Sequence, residues 1–82
     1  MRLIAYPERK SSGLVPWIGR VITEDGEYVT HAEANGPMEL QYALGVMGYV
    51  NHTNYDKKFG KNNWTIEWMD EIPEDLMEKM KK

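Results

Sequence analysis

Eighty-two residues carry thirteen acidic and ten basic side chains, a formal charge of −3, with 41% of residues apolar and 28% charged. Three Trp, five Tyr and clear apolar periodicity exclude a wholly disordered chain, and the length suits a single domain. The chain has no cysteine, which removes disulfides, thiolate nucleophiles and cysteine-based zinc or iron–sulfur sites.

Arg2 to Tyr6 reads as a short strand stopped by Pro7, with too few apolar residues in a row for a signal peptide. Nowhere does the run of roughly 18 to 20 apolar residues that spans a bilayer occur. A cytoplasmic setting without membrane contact is the expectation. Glu8 to Gly13 is polar and small, hence a loop. Leu14 to Thr23 is rich in β-branched residues and reads as a strand, its early part at an edge or bulge because Pro16 cannot donate to a ladder. Glu24-Asp25-Gly26 turns the chain into a second strand from Glu27 to Ala34. Two registers are open here. A type I turn with Gly26 in the left-handed region sets Val21 opposite Val29 and Ile22 opposite Tyr28. A two-residue Asp-Gly turn sets Val21 opposite Thr30 and Ile22 opposite Val29.

Asn35 or Gly36 caps a helix that Pro37 opens, with Glu39 at the positive end of its dipole. Leu40, Ala43, Leu44 and Met47 recur at helical spacing, as do Tyr42, Val46 and Tyr49 beside them. The pattern predicts one helix from Met38 to Val50, covered on more than one side. Gly45 and Gly48 would each cost about 1 kcal/mol inside it, offset by close approach to the sheet. Residues 51–63 form a long polar connection. Trp64 to Met69 alternates as a strand, with Trp64, Ile66 and Trp68 on one face. Pro73 opens a last helix whose charge order, Glu74 and Asp75 first and Lys79, Lys81 and Lys82 last, fits the dipole. Asp75–Lys79 and Glu78–Lys82 are favourable pairs within it. The expected fold is one α+β domain over residues 1–82: an antiparallel sheet of about four strands in the order β-β-β-α-β-α, the main helix on one face, and a short C-terminal helix.

So short a chain commits its large side chains to its own core, Trp17, Trp64, Trp68, Tyr28, Tyr42 and Tyr49 among them, and catalysis is not expected. His31, Glu33 and His52 are the residue types of a hydrolytic metal site, but no spacing forces them together, and no metal or cofactor is expected. Ser11 and Ser12 lack a nucleophile-elbow context. The segment around Tyr55, Lys57, Lys58, Phe59 and Lys61 interleaves lysines with aromatics, as a binder of single-stranded nucleic acid would, on a chain that is acidic overall. From Glu67 to Glu78 six carboxylates occur without a base. Glu67 reads as the solvent face of a strand, and Glu74 and Asp75 serve the last helix. Asp70 and Glu71 have no local task. The expectation is a small non-catalytic protein-binding module, of accessory-factor or inhibitor type, that occupies or modulates a macromolecular partner. Its contact surface would join the basic segment 55–61 to Glu67, Asp70, Glu71, Glu74 and Asp75, facing a protein with a basic surface. A single-stranded nucleic-acid binder is the alternative. A homodimer follows if the second sheet face stays open.

Overall fold

The computed structural model describes residues 1–80, and the chain runs β1 (Arg2–Arg9), β2 (Trp17–Thr23), β3 (Tyr28–Ala34), α1 (Pro37–Ala43), α2 (His52–Phe59), β4 (Thr65–Trp68) and α3 (Glu74–Met80). Lys81 and Lys82, and with them the expected Glu78–Lys82 pair, lie outside the described residues. The fold is α+β, but the helix count and the sheet depart from expectation. Four strands form one sheet in the order β3-β2-β1-β4, and β4 runs parallel to β1. The sheet is therefore mixed. Between Ala34 and Thr65 the chain carries two helices across one face and returns to the end from which β3 started, so the next strand must run in β3's direction.

β1 continues past Pro7 to Arg9, pairing Pro7 with Gly19 and Arg9 with Trp17. Ala5 accepts from the Met69 amide on the β4 side, and two residues on Pro7 faces the same way, beyond the end of β4. The amide that proline lacks would have met no strand there. The hairpin register combines the two expected ones. Ile22 pairs with Tyr28 while Val21 pairs with Thr30, so a bulge leaves Val29 as the extra residue. Gly26 takes the left-handed conformation the turn requires, at φ +85°.

The expected helix over 38–50 breaks in the middle. α1 ends at Ala43, and Gly45 and Gly48 follow at φ +81° and +79°, values that close a helix rather than extend it. The amides of Val46 and Met47 turn back onto the Gln41 carbonyl. The glycines are stop signals. The close approach to the sheet falls to another residue, Gly19 in β2, where an added Cβ would lie 2.8 Å from Leu44 Cδ1 and 3.1 Å from Leu40 Cδ2. Gly19→Ala is expected to cost about 1–3 kcal/mol by overpacking, read as a lower urea midpoint. An unchanged midpoint would mean that the two leucines swing aside freely.

β1 is buried on both sides, from Leu3 to Tyr6. Leu3 and Ala5 join Val21, Leu44 and Tyr55 under α1 and α2. Ile4, Tyr6 and Ile22 meet Leu76 of α3 on the other face, with Met69 and Ile72 beside them. The second face is thus partly covered. What α3 leaves carries charged pairs: Arg20 with Glu8, and Lys10 with Glu33 at 2.8 Å. No helix among the described residues is long and apolar enough to cross a membrane.

Candidate functional site

Residues 52–59, read as part of a polar connection, form α2. Only two of its residues are large and apolar, Tyr55 and Phe59, one turn apart, and both turn inward onto the core under α1. Tyr55 is fully buried, and its hydroxyl donates to the Leu44 carbonyl at 2.6 Å, satisfying an acceptor that the end of α1 leaves open. Burial pushes its phenol up to about 12. Gly60, at φ +94°, stops the helix.

His52 and Asp56, also one turn apart, face a hollow of about 390 Å³ that they share with Tyr49, Lys61, Asn62 and Trp64. Its walls are fixed from within. The Trp64 indole N–H donates to Asp56 Oδ1 at 2.8 Å, and the His52 Nε2–H donates to the Gly45 carbonyl at 2.8 Å. The His52 ring stands edge-on to Trp64 at 4.9 Å and to Tyr49 at 5.4 Å between centroids. Tyr55 supports Trp64 from behind, at 4.9 Å. One wall is open to solvent: Tyr49 is 87% exposed.

Tyr49 also ends a second feature. Met38 and Tyr42, one turn apart on α1, are 64% and 53% exposed, and the chain after α1 adds the exposed Met47, Tyr49 and Val50. Tyr42 lies next to Gly48, so helix and turn form one surface. The structure therefore corrects the assignment of the large aromatics to the core. Tyr28, Tyr42 and Tyr49 are exposed, Trp17, Trp64 and Trp68 are half-buried, and the buried aromatics are Tyr6 and Tyr55.

The residues expected to bind a partner are divided between the two faces of the sheet. On the α2 side Lys57, Lys58 and Lys61 are exposed, Phe59 is half-buried, and Tyr55 lies beneath the surface. On the α3 side Glu71, Glu74 and Asp75 are exposed. Glu67 is ion-paired with Arg2, and Asp70 accepts the Trp68 indole N–H at 3.1 Å, so Asp70 does have a local task. With the sheet between them, the two charged groups do not merge into one patch. His31 bonds through Nδ1 to the Tyr28 hydroxyl, Glu33 takes Lys10, and His52 is held on Gly45, so the three residues weighed as metal ligands have separate partners. Among the described residues no three His, Asp or Glu side chains come together as a ligand set.

Reasoning from sequence missed Met38, Tyr42, Met47 and Tyr49 as surface residues. The signal was available in Gly45 and Gly48, which break an apolar run that one helix would have hidden. Comparison with protein-family models, with curated proteins and with solved structures finds no match to this chain.

Proposed function

We propose that this protein is a non-catalytic binding module that occupies a protein partner through the apolar surface made by α1 and the turn after it. The observation that carries the reading is the exposure of Met38, Tyr42, Met47, Tyr49 and Val50 along one continuous stretch of chain. Tyrosine and methionine are enriched at protein interfaces, where a large, adaptable apolar surface is covered only in the complex. A chain with few large residues to spare leaves five of them in water here, which a fold selected for stability alone has no reason to do. The exposed Glu71, Glu74 and Asp75 lie on the opposite side of the sheet and act at most as a second, separate contact.

The test is a double variant, Met38→Asp with Tyr42→Asp, compared with wild type in affinity capture from the cells that make the protein. Both positions are exposed, so the melting temperature should shift by no more than a few degrees. Wild type is expected to retain a stoichiometric partner that the variant loses. Equal capture by both proteins, or capture lost instead with Glu71→Lys and Asp75→Lys, would refute the assignment of the surface. Concentration-dependent dimerisation of wild type alone would identify the partner as a second copy.

A further inference from the structure

The hollow beside α2 has a composition that the apolar surface does not explain. We infer that it binds an unpaired guanine nucleotide, its base against Tyr49 and Trp64 and its phosphate on Lys61. Three observations lead there. First, the hollow combines aromatic walls with a few polar groups, and its volume of about 390 Å³ falls within the range of small-molecule sites. The solvent-facing wall, Tyr49, offers a ring at 87% exposure on which a base can stack.

Second, Asp56 is the hollow's acidic group, half-buried and already oriented by the Trp64 N–H on Oδ1. A carboxylate only accepts, and with one site taken it still has lone pairs for two donors side by side. Guanine presents that pair, a ring N–H next to an exocyclic amino group. Adenine and cytosine offer an amino group flanked by an acceptor, which the carboxylate would repel.

Third, the hollow carries its own cation. Lys61 lines it and is exposed, whereas Lys58 stands on another side of α2 beside Val29, Thr30 and Asn54, and Glu71, Glu74 and Asp75 lie across the sheet. Lys61 therefore supplies the positive charge where a phosphate would sit. Sequence pattern alone assigns base stacking to Tyr55 and Phe59, but Tyr55 is buried and Phe59 packs on the core, so the ring free to stack comes from the turn after α1.

The experiment uses the full chain, isotope-labelled, with GMP and AMP as probes. It follows the Trp64 indole N–H signal by nuclear magnetic resonance. GMP is expected to shift that signal saturably and to bind about tenfold more tightly than AMP. Tyr49→Ala should weaken GMP about tenfold without changing the fold, since the side chain is exposed. Asp56→Asn keeps an acceptor for Trp64 and should abolish the preference for GMP. Lys61→Gln should weaken both nucleotides and reduce the salt dependence. A guanine-containing single-stranded hexamer then separates the sources. Binding much tighter than GMP, and weakened by Lys57→Gln with Lys58→Gln, indicates a strand; affinity equal to GMP indicates the free nucleotide. A silent Trp64 signal, an equal response to AMP, or Tyr49→Ala binding as wild type overturns the inference. The Met38 and Tyr42 variant should bind GMP normally, so this result is independent of the protein-binding reading.

Discussion

Replacing Gly45 by alanine is expected to cost at least about 3 kcal/mol, enough to leave much of the chain unfolded at moderate temperature. A domain of this length is worth only about 4–12 kcal/mol in total. Two penalties add. A residue with a Cβ pays about 1–2 kcal/mol to hold the left-handed conformation that Gly45 adopts at φ +81°. The added carbon would also run into the Val50 carbonyl oxygen, with the His52 ring 2.8 Å away on its other side. A side chain can rotate out of the way, but this oxygen belongs to the backbone of the turn that closes α1. Gly48→Ala separates the two penalties. It has a similar φ of +79°, yet its nearest neighbour would be Tyr42 Cδ1 at 3.8 Å. It should lose only the conformational part, about 1–2 kcal/mol. Equal losses in urea unfolding of the two variants would show that the clash at Gly45 relaxes without cost.

Tyr55→Ala is the second severe change, with an expected loss of about 3–5 kcal/mol from the cavity left under α1. Tyr55→Phe keeps the ring and isolates the hydrogen bond. It strands the Leu44 carbonyl, at a cost of about 1–3 kcal/mol. The same residue sets an alkaline limit. Burial raises the folded phenol to about 12, against about 10 in an unfolded chain. Between those values the unfolded chain has given up a proton that the folded one keeps. The Tyr55 contribution is therefore whole below pH 10 and is lost as pH climbs toward 12, on the order of 2–3 kcal/mol in all. Tyr6 acts in the same direction, its phenol raised by burial and by the nearby Glu8 carboxylate. Unfolding by urea at pH 9 and pH 11 detects the first part of this combined loss, and Tyr55→Phe should show a smaller pH dependence than wild type. A wild-type midpoint that does not move between these pH values would refute the burial argument.

Much of the fold was legible because its signals were local. Period-two alternation marks β4, Glu24-Asp25-Gly26 marks the hairpin, and Pro73 with Glu74 and Asp75 marks the start of α3. The hairpin register was less so, since a bulge at Val29 satisfies part of each competing turn geometry. The direction of β4 depends on where a 30-residue crossover returns the chain, which no local pattern encodes. α2 was hidden because only Tyr55 and Phe59 form its apolar stripe, too few to stand out among six polar neighbours. The site was harder still. Lysines next to aromatics suggested Tyr55 and Phe59 as contact residues, but helical spacing turns both inward. The residues that line the hollow come from three stretches of sequence: Tyr49, then His52 and Asp56, then Lys61 to Trp64. Only the broken helix and the turn at Gly60 bring them together.

The parallel pairing of β1 with β4 also sets an order of events during synthesis. β1, β2 and β3 are contiguous and can zip together once residue 34 is available, whereas β4 begins at residue 65. Until then β1 presents one unsatisfied flank, with Leu3, Ile4, Ala5 and Tyr6 awaiting their final cover. A nascent or truncated chain ending before Thr65 would expose a sticky hydrophobic ribbon, so the segment from Thr65 onward acts as the guard that keeps the first strand from joining its neighbours on other ribosomes.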